Sequence, residues 1–531
     1  MSEKNALGFI HALMDQGDWQ QAHTRVAQLS EKEALSEEGC QLRAYLATLQ
    51  GDLLSAEQAL RQASVNLNNR LLLASNLHKQ QRFLEAQQQL LALVVEYPEV
   101  VAVHFNLAQS YLATNHLTAA LPELLFCLAH RVNNHALLFQ VASIYCQLDQ
   151  HAVAKIYLEQ LLTIEPHHVE ALNNLGVCHL KAKHALLAIQ CFATAMRIDD
   201  QHLPSLSNLA MTLYQEQRFS EALVYFEQYL RLAPREIEIN YHVGVVALML
   251  VQFDRAQQSF QTVLAQNAMH VPSMLNLAAI ALKKREPSNA LAWYQRVLGV
   301  EPQQAIAAYM VSALLGDRAC IKAPNAYIEA LFDQYAAHFD QHLLQDLAYQ
   351  TPQQLRKLYD RLPKVKRRKG YLLDLGCGTG LSGAVFNDIA VEMVGVDLSN
   401  QMLIEAQAKN IYHTTVKADI VAYLKTVEQR FDIIVLADVI VYVGDLTELF
   451  ALMAMRLAPD GIILLSVELA PATLKASYGL TATGRFQHQL PYIHHVAKAN
   501  QLSLLREKTV PLRSQEGQAV SGQIMAFQRV A

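Results

Sequence analysis

Along the first 304 residues the apolar positions follow a helical spacing that itself repeats. Ala86, Ala120, Ala154, Ala188, Ala222, Ala256 and Ala290 stand 34 residues apart. One turn further along the same helix face come Leu90, Leu124, Leu158, Phe192, Phe226, Phe260 and Tyr294. Twelve residues before the alanines stand Ala74, Ala108, Ala142, Gly176, Ala210, Gly244 and Ala278, small enough for a neighbouring helix to approach closely. Pro98, Pro166, Pro234 and Pro302 share one phase and mark helix ends, because proline lacks the N–H a helix needs. Ala22 and Ala56 keep the beat upstream, and the step of 30 from Ala56 to Ala86 predicts one shortened connection. A helix pair of this length cannot bury its apolar face alone. The pattern therefore predicts about nine stacked pairs over residues 1–304, with a long concave surface.

Near residue 305 the pattern changes. Ala305–Leu315 reads as a capping helix, Pro324-Asn325 can start another, and Tyr349–Pro352 closes the helical region. Lys364-Val-Lys-Arg-Arg-Lys369 follows, either a phosphate-binding run or a solvated linker. From Gly370 short apolar strands alternate with helices: strands at Tyr371–Leu375, Met393–Val396, His413–Lys417, Asp432–Leu436 and Gly461–Val467, helices near Asn400–Lys409 and Asp445–Leu457. Such alternation predicts a parallel, doubly wound α/β sheet. Leu502–Thr509 and Gln523–Gln528 are placed to add an antiparallel hairpin. The domains expected are thus 1–304, a 305–368 connection of capping helix, lid helix and basic linker, and 369–531.

Composition narrows the function. A net charge of −5 gives no general attraction to nucleic acid or anionic membrane. The N-terminus MSEKNALGF has no apolar signal core, and stretches such as Val243–Val251 fall short of the roughly 20 residues of a membrane span. A cytoplasmic location is expected. The seven cysteines are scattered, without a C-x-x-C pair or a His-Cys zinc spacing, and read as buried thiols; no metal is expected. The 21 histidines read mostly as solvated helix-face residues.

Gly376-Cys377-Gly378-Thr379-Gly380 lies between the first strand and a helix, where glycines let backbone N–H groups approach a ligand. A dinucleotide loop would read G-x-G-x-x-G, but position 381 is Leu and the glycines stand instead at 376, 378 and 380. Asp397, ending strand two, can accept both hydroxyls of a ribose; Asp374 can meet an ammonium group, and Asp419 an exocyclic amine. These carboxylates suit an adenosine-like ligand without a pyrophosphate.

Two resemblances follow from these residues. Asn173-Asn-Leu-Gly176 with Ala188 and Phe192, and Asn208-Leu-Ala210 with Ala222, Phe226 and Pro234, resemble tetratricopeptide repeats, which implies a binding solenoid; a spacer or assembly element is the alternative. Leu373-Asp-Leu-Gly-Cys-Gly-Thr-Gly380, Val396-Asp-Leu-Ser399 with Met402-Leu403, Asp419 and Asp432 resemble class I S-adenosylmethionine-dependent methyltransferases over about residues 325–531. That resemblance implies a seven-stranded, Rossmann-like sheet with S-adenosyl-L-methionine as cofactor. It places the methionine end on Gly376, Gly378 and Gly380, ribose on Asp397, and adenine between Leu398 and Met402 with its amine on Asp419. Phe332–Asp340 and Arg485–Tyr492 make the whole resemble predicted bacterial methyltransferases that carry N-terminal tetratricopeptide repeats. Tyr335 is then either a cofactor contact or part of the core face of a lid helix.

Methyl transfer is an in-line displacement, so a general acid or base is optional. Candidates on the acceptor side are Asp438, Tyr442, His488 and Tyr492, with Arg513 nearby. Leu436-Ala-Asp-Val-Ile-Val-Tyr442 lacks an Asn/Asp-Pro-Pro-Tyr motif, which disfavours adenine and glutamine methylation. His488 is either a general base or structural. Asn106, Gln140, Asn174, Asn208, His242 and Asn276 recur at the same repeat position and form a polar row. The row resembles the asparagine ladder of O-linked N-acetylglucosamine transferase, implying protein or peptide capture; inter-repeat bonding is the alternative. Three functions remain open: a methyltransferase whose repeats recruit a protein or peptide, an interaction scaffold with a cofactor-sensing domain, and a small-molecule methyltransferase with repeats used for assembly.

Overall fold

Close approach of helices requires small side chains at the crossing, and the repeat alanines occupy such positions. Ala22, Ala56, Ala86, Ala120, Ala154, Ala188, Ala222, Ala256 and Ala290 are all 0% exposed. A Cβ built on Gly176 would lie 2.5 Å from the Phe192 ring, so the small residue and the large one of the same repeat are fitted to each other. The structure is a computed structural model that describes residues 3–529 apart from 30, 131–133, 318–319, 334–335, 342, 345–346, 348, 364–368, 472 and 516–517. Tyr335 and Lys364–Arg368 of the basic run lie outside the described residues. Two compact units are formed, Met1–Gln252 and Phe253–Ala531.

Among the described residues, nine helix pairs run from Glu3–Asp15 and Trp19–Ala27 to Val271–Lys283 and Pro287–Val300, with a one-turn helix Glu31–Ala34 after the first pair. The 30-residue step has a different origin from the one expected. Leu53–Gln62 has 10 residues where Phe83–Glu96 has 14, so a helical turn is missing and the connection is not shortened. Several histidines also differ from their reading as solvated face residues. His168, His202 and His270 cap helices, each Nδ1 accepting the backbone N–H of Ala171, Ser205 or Ser273 at 3.2–3.3 Å. A terminal N–H without a helical partner is thereby satisfied.

The turn inside each pair is a second periodic feature. Gly17, Gly51, Gln81, Asn115, Asp149, Lys183, Gln217, Val251 and Arg285 all take positive φ. Only glycine adopts this conformation freely, and asparagine and aspartate tolerate it.

In the second unit, helix Ala305–Leu315 ends on Gly316 in the left-handed conformation, and Asn325–Asp333 and Ala336–Gln341 follow. Pro352 opens a helix, Thr351–Asp360, where closure of the helical region was expected. Proline is tolerated in a first turn because that N–H has no helical acceptor.

The sheet strands are β1 (Gly370–Leu375), β2 (Ala390–Asp397), β3 (Thr414–Lys417), β4 (Phe431–Leu436), β5 (Leu457–Glu468), β8 (Leu502–Gln515) and β9 (Gln518–Arg529), while β6 (Tyr478–Leu480) pairs with β7 (Phe486–His488) in a separate ribbon. The seven-stranded order is β3-β2-β1-β4-β5-β9-β8. Strands β1 to β5 pair in parallel, whereas β9 runs antiparallel to β5 and to β8. Along their apolar runs β1, β2, β4 and β5 are buried on both faces, whereas the edge strand β3 has no buried residue. β1 and β4, at the centre, reverse the strand order, which sets a crevice at their carboxyl ends.

Val251 is the β-branched member of the left-handed turns, with φ 58° and 67% of its surface exposed. Val251→Gly should stabilise the chain by about 1 kcal/mol, the steric relief exceeding glycine's entropy cost. Urea denaturation of the two proteins side by side measures the difference; an unchanged or lower midpoint contradicts this assignment of strain.

Candidate active site at the carboxyl edge of the sheet

The turn after β1 is shaped by three left-handed glycines: Gly376 at φ 70°, Gly378 at 53° and Gly380 at 91°. A Cβ at Gly376 would press to 2.4 Å from Val439, just beyond β4. The two central strand ends are thus held together at a position where no side chain fits. At Gly378 a Cβ would meet only Phe339, at 3.8 Å, so that side of the loop is open up to the helix Ala336–Gln341.

The loop's N–H groups are used differently from the expectation. Gly376 and Cys377 both donate to Val396 O, at 2.8 and 3.0 Å, Gly380 donates to Cys377 O at 2.9 Å, and Gly378 donates to Asp397 Oδ2 at 2.9 Å. These four are therefore committed inside the protein, and the glycines act by leaving space. Cys377 is 5% exposed and directs its thiol towards Gly395 of β2; burial pushes that thiol well up.

Asp397 joins the loop to the end of β2. Its other oxygen accepts Ser399 N–H at 2.9 Å, so each oxygen keeps lone-pair capacity for a ligand. Burial raises its pKa, opposed by those backbone donors. Leu398 is half-buried beside it, while Met402 is 1% exposed within the following helix. Beneath the loop, Asp374 is 1% exposed and accepts the Tyr412 hydroxyl at 2.6 Å; its Oδ1 is buried without a hydrogen-bond partner. Burial raises this carboxyl to about 7. Asp419 is occupied on both oxygens: one caps the helix Ile420–Thr426 through Ala422 N–H at 3.1 Å, the other pairs with Lys322 at 2.6 Å. An amine reaching Asp419 must share it with that ammonium.

The four acceptor-side residues separate into two groups. Asp438, itself at φ 63°, and Tyr442 stand just beyond β4 with Glu468 at the end of β5, Arg485 before β7 and Arg513 on β8. Arg485 bonds Glu468 at 2.7 Å and approaches Asp438 to 3.3 Å, while Arg513 meets the same carboxylates at 2.7 and 3.6 Å. The Arg485 guanidinium also lies over the Tyr442 ring, 5.5 Å from its centre. Two cations and two anions are balanced here, which buried charge requires. Burial, then Asp438, hold the nearby Tyr349 phenol well above its ordinary value. One Asp438 oxygen has no hydrogen-bond partner.

His488 and Tyr492 serve elsewhere. His488 is 0% exposed, its Nε2 lies 2.9 Å from Val443 O and 3.1 Å from Gly444 O, and burial lowers its pKa to about 4. Facing two carbonyls, that nitrogen is a donor, which leaves the ring's lone pair on Nδ1, buried without a hydrogen-bond partner. Tyr492 accepts Leu446 N–H at 2.9 Å and donates to Asp445 at 3.1 Å. The pair braces the 443–446 segment behind the cleft.

Glu468 and Arg485 are members that residue-by-residue reading did not assign. Glu468 had a visible signal, a charge ending an apolar strand; Arg485 opens the segment Arg485–Tyr492 that carries a family resemblance, but its role had no local signal, because it reaches the cluster only through the β6–β7 ribbon. That ribbon's turn is held by the helix after the last repeat, Tyr309 donating to Gly484 O at 2.8 Å.

The repeat row shows mixed engagement. Asn208 donates to Asn173 Oδ1 at 2.9 Å, Asn173 donates to Asn174 at 3.4 Å, Asn106 bonds Ala102 O of its own helix at 2.8 Å, and Gln140 accepts from Gln109 at 3.3 Å. His242 stacks on Phe226, centres 5.7 Å apart, with its Nδ1 buried and unpartnered, so it does not extend the row outward. Asn276 is half-buried at the same helix position.

Parts of the chain are similar to known proteins. The model of a methyltransferase domain matches residues 347–508, and models of the tetratricopeptide repeat match 71–125, 135–168, 203–236 and 250–308. The human protein O-mannosyl-transferase TMTC3 is 26% identical over 163 residues, 30% of this chain and 18% of that protein. The type IV pilus assembly protein PilF of Pseudomonas aeruginosa is 25% identical over 155 residues, 28% of this chain and 60% of PilF. The chain therefore spans less than two thirds of these relatives. Among solved structures, the TPR protein YrrB aligns at 16% identity and TM-score 0.33 over 35% of this chain and 96% of its own. The C-terminal part of a Cytophaga hutchinsonii TPR protein gives 14%, 0.40, 45% and 98%. No helix among the described residues is long and apolar enough to cross a membrane. The chain thus joins tetratricopeptide repeats to a stretch, 347–508, that matches a methyltransferase domain and carries most of the seven-stranded sheet.

Proposed function

We propose that the chain is an S-adenosylmethionine-dependent methyltransferase whose repeats hold a protein or peptide, as substrate or as partner. The observation that carries this reading is the Asp397 carboxylate, tied to Gly378 N–H at the open side of the glycine loop and still able to accept hydroxyl donors. The unpartnered Asp374 Oδ1 beneath it fits an ammonium group, which would supply the missing donor. Bound S-adenosylmethionine would supply a methyl group on a sulfonium, already activated for displacement.

The chain's own part is to orient and to exclude water. Phe332 and Phe339, edge to face with centres 6.0 Å apart, supply an apolar cover, and Phe332 also meets Tyr442 at 5.8 Å. On the acceptor side, Arg485 and Arg513 hold Asp438 in place while its second oxygen can accept an N–H or O–H from the acceptor. The half-buried amides of Asn106, Gln140, Asn174 and Asn208 can donate to and accept from an extended backbone of any sequence.

The purified chain should bind S-adenosylmethionine one to one and move label from it into macromolecules of a cell extract. Asp397→Ala should weaken that binding by about 1.5–3 kcal/mol, roughly 10–150-fold, and Gly378→Val should do more damage, by filling the open side of the loop. Calorimetry showing wild-type affinity in Asp397→Ala removes the ribose assignment.

Ligand affinity should rise with pH as Asp374 ionises. Its carboxyl is neutral below about 7, so the ammonium end gains its charged partner on going from pH 6 to 7. The expected gain is roughly fivefold, below the range where the ligand's α-amino group titrates. Asp374→Asn should flatten the profile; a profile that stays steep would assign the dependence to another group.

Replacing Asn174, Asn208 and Asn276 together by Ala should abolish partner capture in pull-downs with little change in melting temperature. A lowered melting temperature, with residual capture proportional to folded protein, would make the row structural.

A further inference from the structure

Three ligand-type side chains that are remote in sequence meet in the first unit. Cys146 lies near the end of helix His135–Gln147, His151 opens His151–Ile164, and Cys178 sits in Val169–Lys181 of the next repeat. Their ligand atoms all lie within 4.8 Å of one another. The two sulfurs are 3.8 Å apart, and Cys178 Sγ is 3.9 Å from His151 Nδ1. Tetrahedral zinc with Zn–S near 2.3 Å and Zn–N near 2.0–2.1 Å would set two sulfurs about 3.8 Å apart and a sulfur about 3.5 Å from the nitrogen. The thiols are therefore spaced as the edge of such a tetrahedron, far from the roughly 2.05 Å of a disulfide.

The imidazole is oriented for the same purpose. His151 Nε2 is 2.9 Å from Asp149 Oδ1, which places the proton on Nε2 and leaves the Nδ1 lone pair facing the sulfurs. A carboxylate behind a ligating histidine is the usual outer support of a metal site. Asp149 occupies the left-handed turn between the two helices of its repeat, so the turn geometry sets where that carboxylate stands. Cys178 is buried and the other two are half-buried, which leaves one side of the triad accessible.

We propose that Cys146, His151 and Cys178 bind a thiophilic divalent cation, zinc above all, with three protein ligands and one accessible coordination position. Binding releases the two thiol protons, and the metal fastens the turn of one repeat to the first helix of the next.

The test uses the full-length chain, reduced and stripped with a chelator, titrated with Zn²⁺ and with Co²⁺ as spectroscopic probe. One equivalent should bind, with a thiolate-to-cobalt charge-transfer band, proton release in weak buffer and a higher melting temperature with zinc. Cys146→Ser, Cys178→Ser and His151→Ala should each weaken uptake at least 100-fold, and Asp149→Asn about 10–100-fold. Cys191→Ser, a thiol packed against the same core, should change nothing. If the buried Cys178→Ser fails to fold, the half-buried Cys146→Ser decides. Absence of stoichiometric uptake by the reduced protein, or a cobalt band that survives Cys146→Ser, overturns the proposal, as does a Cys146–Cys178 disulfide forming in place of metal uptake.

Discussion

Everything in the repeat array depends on helices that touch through alanine methyl groups. A helix pair has too little apolar surface on its inner face to fold alone, and contact with the next pair is what completes its core. That contact can be close only where nothing larger than a methyl intervenes, and all nine repeat alanines are withdrawn from solvent. The large residue one turn away then fills the space beside the crossing. Phe192 against Gly176 shows how little slack remains. Because the requirement recurs in every repeat, it fixes the phase of the helices, and with it the positions of the turns and of the polar row.

In the methyltransferase domain the corresponding constraint is electrostatic. The carboxyl ends of β1, β2, β4 and β5 carry Asp374, Asp397, Asp438 and Glu468 within one crevice. Carboxylates brought so near each other in partly buried surroundings need compensation. Each receives a different kind: a tyrosine hydroxyl for Asp374, backbone N–H groups for Asp397, and two arginines for Asp438 and Glu468. The compensation is incomplete at Asp374 and Asp438, where one oxygen each is left without a partner. An unsatisfied buried acceptor is costly, and under the proposed function these two oxygens would take donors from a bound ligand.

Fold and sequence agree most closely where a local rule is repeated or strict. The 34-residue beat gave nine helix pairs because burial imposes the same pattern each time. Ala305–Leu315 and the tail hairpin were legible from their apolar period and turn residues. Pro352 was misread because proline ends a helix in one place and begins one in another, and the difference lies in which N–H groups have acceptors. The shortened step before Ala86 gives its length in the sequence but not its location, since a turn can be lost from a helix as readily as from a loop.

The sequence by itself determined the repeat architecture, the strand-loop-helix unit with its three glycines, and the carboxylates that end the strands. These follow from periodicity and from backbone conformations that few residues tolerate. Only the tertiary structure decided how the side chains are employed. It spent the loop's N–H groups inside the protein, paired Asp419 with Lys322, and turned His488 onto two carbonyls. It also brought Arg485 and Glu468 together, and assembled Cys146, His151 and Cys178 across two repeats. Local patterns report what a residue can do with its neighbours along the chain. Hydrogen-bond partners, charge pairs and ligand triads are set by distances between elements remote in sequence, and those are fixed only when the elements pack.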